Sequence, residues 1–155
     1  MNLDCKDIGL KIELSDKLLD YLYVVGMKHY PNEFGGLLIG RYFDNMKTCI
    51  VSECVLPKKY KSSKYYFERG LDGLKQTLLN FHESDPSLIY IGEWHTHPDM
   101  PSEPSETDKK AIREIAEHDD VNITSPLLLI LSNNQQGYSF SCYVQFKKQL
   151  YKYEQ

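Results

Sequence analysis

SLIYIGEWHTHP, residues 87–98, is the stretch whose reading decides how this 155-residue chain folds. Asp85-Pro86 breaks the chain before it, and its first half is almost wholly apolar, as in a strand bound for a core. On a strand, residues i and i+2 share a face. His95 and His97 therefore project together, with Cα atoms roughly 6.5 Å apart, while Trp94 and Thr96 face the other way. Pro98 stops the strand and leaves the histidines at its exposed end, where two imidazoles can converge on one ion through bonds of about 2.0–2.1 Å. Taken alone, such a pair is more often a surface or satisfied core feature than a ligand set. Glu93 falls on the same face by alternation and reads as a group behind the histidines or facing a substrate.

Separated from Pro98 by six residues, the run Ser105-Glu106-Thr107-Asp108 has two compatible readings. S-x-x-D before a helical pattern is a capping-box variant, with Ser105 as N-cap and Asp108 as an acid favoured in the first turn. A catalytic zinc site also needs a third protein ligand, and a helix starting at Ser105 is a rigid base from which Asp108 can reach back to the histidines. Asp99, Glu103 and Glu106 read as solvated. A metal hydrolase further needs a carboxylate base near the metal but not bound to it. Glu33, in PNEFGGLLIG before an apolar Gly-rich strand, is the candidate, although locally it is an ordinary loop acid.

Working outward, Leu10, Ile12 and Leu14 alternate as a short first strand. Ser15 offers an N-cap to a helix whose Leu18, Leu19, Leu22 and Val25 recur at helical spacing and which ends before Pro31. Residues 32–43 and 48–56 read as strands, and SSKYYFE (62–68) as a short one. Residues 71–83 place Leu71, Leu74, Leu78 and Phe81 on one helical face. Ser105 to His118 reads as a helix with Ala111, Ile112 and Ile115 inward. PLLLILS (126–132) reads as a central buried strand, and residues 138–146 as another. The tail KKQLYKYEQ adds a little helix or frays. This order predicts a mixed central sheet flanked by helices, a three-layer α/β or α+β fold.

The chain carries a net charge of −4 and 41% hydrophobic residues. Its length suits one domain over residues 1–155, burying roughly 70% of the unfolded chain's surface, and no Gly/Ser/Pro-rich linker divides it. Lysines come in pairs rather than stripes, so no nucleic-acid footprint is expected. Cys5, Cys49, Cys54 and Cys142 form no C-x-x-C pair. With no signal-like N-terminus and no apolar run near the ~20 residues of a membrane span, a cytoplasmic protein with reduced thiols is expected.

Glu33, then His95-Thr96-His97-Pro98, six residues, Ser105, two residues and Asp108 match every fixed position of E…H-[ST]-H-P-x6-S-x2-D. That pattern is the JAMM motif, and the chain resembles the MPN+ (JAB-type) metalloproteases from the strand after Glu33 through PLLLILS. The resemblance implies a deaminase-like α/β arrangement and one Zn²⁺ per chain, held by His95, His97 and Asp108 with water as fourth ligand. Zinc takes that water's pKa from about 15.7 toward about 7. Glu33 would be the catalytic base that passes the proton to the departing amine, and Ser105 the oxyanion donor, alongside its reading as an N-cap alone.

The resemblance further implies an isopeptidase or peptidase that removes a ubiquitin-like or C-terminally conjugated protein from its target. FERGLDGL, IGEWHTHP, PSEPSETD and PLLLIL are most similar to small bacterial JAB peptidases encoded beside E1- and E2-like enzymes in antiphage operons, including the CBASS type. There the conjugated protein is a nucleotidyltransferase joined through its C-terminus; ubiquitin-like modification operons use a similar enzyme. Trimming of a sulfur-carrier precursor is an alternative with the same chemistry, and a non-catalytic MPN-type scaffold one of another class. Nucleobase deaminases need H-x-E with P-C-x-x-C, and thermolysin-like enzymes H-E-x-x-H; neither pattern occurs. Two histidines and an aspartate with an open position suit zinc without excluding another divalent ion.

Overall fold

A computed structural model describes residues 1–155. In chain order the elements are β1 (Asn2–Cys5), β2 (Leu10–Leu14), α1 (Asp16–His29), β3 (Gly35–Phe43), β4 (Thr48–Val55), β5 (Tyr60–Ser63), β6 (Tyr66–Arg69), α2 (Leu74–His82), β7 (Ile89–Pro98), α3 (Glu106–Glu117), β8 (Leu127–Asn134), β9 (Gly137–Phe146) and β10 (Gln149–Lys152). Eight strands form one mixed sheet in the order β1-β2-β4-β3-β7-β8-β9-β10. β7 and β8 run parallel at its centre, as do β2 and β4, and the remaining pairs are antiparallel. The deep, nearly unbroken apolar run of β8 follows from its coverage on both faces.

Helices cover both faces, as a mixed sheet with apolar residues on each side requires. Ser15 caps α1 by accepting a bond from the Leu18 amide, and Leu18, Leu19, Leu22 and Val25 are buried. These four pack with Leu38, Trp94, Leu127, Leu129 and Leu131, each worth about 1.5–3 kcal/mol of transfer free energy. On the opposite face, Ile112 of α3 packs on Leu128 and Ile130, and Leu74 of α2 packs on Leu37 and Ile39. The predicted three-layer architecture is the one found. The sheet coils far enough that its two outer edges meet: Asp4 and Glu154 exchange backbone bonds of 2.7 and 2.9 Å. That contact leaves less open edge for a foreign strand to pair with.

Strand β7 does not keep simple alternation. Leu38 of β3 pairs with Gly92 and Ile39 with Tyr90, so Ile91 is an extra residue, a β-bulge. The bulge shifts the phase of everything after it. Ile91 points into the core under α1, and so do Trp94 and Thr96; Tyr90, Glu93, His95 and His97 point to the other side. Gly92 sits at φ +155°, and a Cβ there would stand 2.2 Å from the Leu127 carbonyl oxygen. Only glycine fits this position.

Several expectations are corrected. Residues 62–68 are not one strand: β5 and β6 form a separate two-stranded hairpin that turns at Lys64-Tyr65. The turn carries none of the Gly, Asn, Asp or Pro signals that mark tight hairpins. α2 starts at Leu74, because Gly73 sits in a left-handed conformation just before it, and Leu71 is 75% exposed instead of sharing the helical face. Ala111 is exposed; Ile112 carries the packing of α3. The tail forms strand β10 on the edge of β9. The N-terminal strand β1, which its short sequence does not announce, completes the other edge. All four cysteines are free, and no helix is long and apolar enough to cross a membrane.

The bulge makes a testable demand on stability. Gly92→Ala should lower unfolding free energy by on the order of 3 kcal/mol, since it adds a clash at a positive φ. Chemical denaturation of the variant measures this, and a midpoint equal to wild type would contradict the assignment.

Candidate metal centre

Three side chains from two separate segments converge behind the end of β7. His95 Nε2 and His97 Nε2 lie 3.0 Å apart. Asp108 places Oδ1 3.4 Å from His95 Nε2 and Oδ2 3.3 Å from His97 Nε2. The histidines are not at an exposed strand end, as alternation and Pro98 imply. They are 8% and 7% exposed, because the loop after Pro98 folds back over them and α3 closes the side.

The donor set fits a metal ion. His97 Nδ1 stands 3.0 Å from the Pro101 carbonyl oxygen, which can only accept. Nδ1 therefore carries the ring proton and Nε2 presents a lone pair to the centre of the triangle. A tetrahedral site with bonds near 2.05 Å has ligand-to-ligand edges of about 3.3 Å, close to the three distances observed. Without a cation, two imidazole nitrogens and a carboxylate would crowd electron-rich atoms together in a half-buried place. His95, His97 and Asp108 are thus a group able to hold a metal ion.

Asp108 is held for this position by the helix that carries it. Ser105 N donates to Asp108 Oδ2 at 2.7 Å, and Asp108 N donates to Ser105 Oγ at 3.1 Å, a reciprocal capping box. The two readings of this run describe one arrangement: the cap fixes the carboxylate's rotamer and aims it at the histidines. Ser105 Oγ accepts from the Asp108 amide and keeps its own proton to donate. Burial would raise the Asp108 pKa, but with no ion bound and the imidazoles protonated, His95 and His97 hold it far below the usual carboxylate range. Burial disfavours charge on His97, yet Asp108 and the Pro101 carbonyl leave its pKa raised.

Glu33 is brought to the same place from sixty residues upstream. A cleft of about 230 Å³ is lined by Glu33, His95, His97, Ser105 and Asp108, with Tyr66 and Met100 among the residues on its rim. Burial raises the Glu33 pKa, opposed by the nearby histidines and reinforced by Asp108. Glu33 lies in a short coil, and its neighbour Phe34 is tied to Thr96: Phe34 N donates to Thr96 Oγ1 at 3.0 Å, and Thr96 N donates to Phe34 O at 2.8 Å. Gly35 lets the strands approach, since a Cβ there would stand 2.1 Å from the Trp94 carbonyl oxygen. Thr96, between the histidines but on the opposite face, is the residue that sets Glu33 beside them.

Glu93 has a definite partner. Arg69, at the end of β6, grips it with bonds of 2.8 and 2.9 Å, and Tyr90 Oη donates to it at 2.8 Å. The pair is mostly buried, at 22% and 16% side-chain exposure. It pins the β5–β6 hairpin to the sheet and forms the charged floor of an adjoining groove of about 530 Å³ between the hairpin and α3. That groove shares His95 and Asp108 with the cleft; apolar side chains such as Phe67, Ile115 and Leu128 line it together with polar ones, among them Glu68, Glu114 and His118. Nothing local in the sequence couples Arg69 to Glu93; Thr96, by contrast, is marked by standing inside H-T-H. Of the other acids, Asp99 accepts from Tyr30 Oη at 2.7 Å and Glu106 pairs with Lys109.

The family described as prokaryotic homologs of the JAB domain matches residues 15–143. A protein of Enterobacter hormaechei subsp. hoffmannii named CD-NTase/cGAS isopeptidase is 32% identical over 135 residues, spanning 86% of this chain and 74% of that protein. A probable metalloprotease of Sinorhizobium fredii is 36% identical over 50 residues, 32% of this chain and 30% of that one. Among solved structures, a protein from Desulfitobacterium hafniense superposes with a TM-score of 0.66 at 21% identity, covering 92% of this chain and 90% of its own. One from Salinibacter ruber gives 0.58 at 20% identity, with 89% and 86% covered. At such identities the likeness is one of fold.

The Arg69–Glu93 pair yields a prediction. Arg69→Ala strands a buried carboxylate and should cost about 3 kcal/mol. Arg69→Ala combined with Glu93→Gln should cost clearly less than the sum of the two single changes. A double-mutant cycle by urea unfolding measures the coupling, and strict additivity would show the pair to be inert.

Proposed function

The chain belongs to the prokaryotic homologs of the JAB domain, and from that premise we propose that it is a metal-dependent isopeptidase. One observation carries the reading: two imidazole nitrogens and one carboxylate meet with spacings of 3.0–3.4 Å, in a cleft that a second carboxylate, Glu33, also faces. His95, His97 and Asp108 would hold the ion, with zinc favoured by two nitrogen donors and one oxygen donor at tetrahedral spacing. When bound, such an ion supplies Lewis acidity, which brings the pKa of water from about 15.7 toward about 7 and polarises a carbonyl.

The chain's own residues then divide the remaining work. Glu33 takes a proton from the attacking water as its oxygen bonds to the amide carbon, and returns that proton to the nitrogen as the C–N bond breaks. Its raised pKa suits this exchange, because burial weakens its hold on charge and makes the protonated form easier to reach. Ser105 donates its hydroxyl proton toward the oxygen on which negative charge grows. The groove beside His95 and Asp108 receives the extended chain that leads to the scissile bond, with Arg69 and Glu93 beneath it.

The substrate we propose is a protein joined through its C-terminus to a target. The relative named for a CD-NTase/cGAS substrate makes a conjugated nucleotidyltransferase the first to test, built by E1- and E2-like enzymes as the JAMM resemblance implies. Metal analysis of the purified protein should find about one zinc per chain, and His95→Ala should remove it. Glu33→Gln should keep the metal while cleavage of a nucleotidyltransferase conjugate falls by about 10³-fold, within the 10²–10⁴ typical of a lost acid–base group. A chain that binds no divalent ion, or a Glu33→Gln variant cleaving at the wild-type rate, would refute the proposal. Ser105→Ala should reduce kcat by roughly 10²–10³ while costing only about 1 kcal/mol of stability through the lost cap. Parallel rate and melting measurements check this; an unchanged kcat leaves Ser105 as a cap alone.

A further inference from the structure

The proposed base, Glu33, belongs to neither a helix nor a strand, yet four consecutive backbone polar groups around it are all bonded. Glu33 N donates to the Ser63 carbonyl oxygen at 2.9 Å, and Ser62 Oγ donates to the Glu33 carbonyl oxygen at 2.6 Å. Phe34 N and O are held in turn by Thr96. One side of this short coil hangs on β7, which carries the histidines; the other hangs on the β5–β6 hairpin. That hairpin is outside the main sheet, and an isolated two-stranded ribbon is marginal in water. Its anchors to the rest of the molecule are therefore the features that hold its position.

Those anchors gather at Glu33. The Phe34 ring stacks on His29 with centroids 3.7 Å apart, and takes Tyr60 and Phe67 of the hairpin edge-on at 5.0 and 5.5 Å. Arg69 fixes the far end through Glu93. The aromatic contacts press the hairpin against Phe34 without direction along the chain; on the hairpin side, the bonds that Glu33 makes with the Ser62 hydroxyl and the Ser63 carbonyl set the rotation of its backbone, as Thr96 does on the other side through the Phe34 amide. Ser63 acts through its carbonyl, which any residue supplies. Ser62 acts through its side chain, which is replaceable.

We infer that Ser62 is a positioning residue for the reaction: its hydroxyl clamps the Glu33 peptide to the hairpin so that the Glu33 carboxyl faces the metal-binding triangle. The inference rests on the functional reading above and extends it to a residue outside the motif. Ser62 touches neither substrate nor ion. Its loss should leave metal affinity and substrate binding in place and misplace the base, and a displacement near 1 Å is worth about 10²-fold in rate.

The test uses the zinc-loaded full chain. Ser62→Ala should bind one zinc, lower kcat on a nucleotidyltransferase conjugate by about 10²-fold, and change KM less than about twofold. Amide hydrogen exchange should quicken at residues 33 and 34 and stay at wild-type rates over residues 66–69. Ser62→Thr, which retains the hydroxyl, should restore both kcat and the slow exchange. A kcat of Ser62→Ala within about twofold of wild type would overturn the inference, and so would unchanged exchange at residues 33 and 34. Faster exchange throughout the hairpin would also overturn it, by making Ser62 a structural support only. If Glu33→Gln itself cleaves normally, the functional reading fails instead, and the exchange data still decide whether the clamp exists.

Discussion

The extra residue in β7 governs how the rest of this molecule is arranged. Strand side chains alternate, so an uninterrupted strand would put Ile91, His95 and His97 on one face. Either Ile91 would then leave the core beneath α1, or the histidines would enter it, far from any open cleft. The bulge at Ile91–Gly92 lets the same strand fill the α1 core with Ile91 and Trp94 while its last turns of alternation aim His95 and His97 at the opposite side. The demand falls on Gly92, whose positive φ and contact with the Leu127 carbonyl exclude a side chain.

Around that phase, the site is assembled from elements that meet in space and are far apart in the chain. β7 contributes two nitrogens, the capped start of α3 contributes a carboxylate, and the coil before β3 contributes a second one. Each is held by backbone or backbone-like bonds, not by the mutual attraction of the charged groups. The Ser105–Asp108 box orients one carboxylate, and the Thr96–Phe34 pair and the hairpin orient the other. Such preorganisation is what a site for a strongly hydrated divalent ion needs, because ligands that must first be ordered bind less tightly. The Pro101 carbonyl adds the tautomer of His97 to the same scheme.

The β5–β6 hairpin is the least self-sufficient part of the fold and the part most involved with the cleft. Phe67 lines both the cleft that holds Glu33, His95, His97 and Asp108 and the adjoining groove. A ribbon this short keeps its place through Arg69–Glu93, the aromatic packing on Phe34 and the bonds to Glu33, so the positions of the hairpin and of Glu33 are parts of one structure. The buried Arg69–Glu93 pair explains a charged strand residue beside two histidines that otherwise has no reason to be there.

Much of this was legible in residues alone. The i, i+2 histidines, the capping-box spacing at Ser105 and Asp108, the apolar period of α1 and the unbroken run of β8 are local patterns, and local patterns are carried by short-range sterics and hydrogen bonding. A hairpin turning on Lys64-Tyr65 and a tail that became β10 were not legible, because neither has turn or propensity signals strong enough to outweigh where the sheet needs a strand. The same holds for Leu71, displaced from its helix by Gly73. What the sequence determined by itself is the identity and spacing of the reactive side chains and the elements that bear them. What only tertiary structure decided is the phase of β7, the partner of Glu93 and the path that carries Glu33 across sixty residues to the histidines, since each depends on strand pairing between distant segments, which no local period encodes.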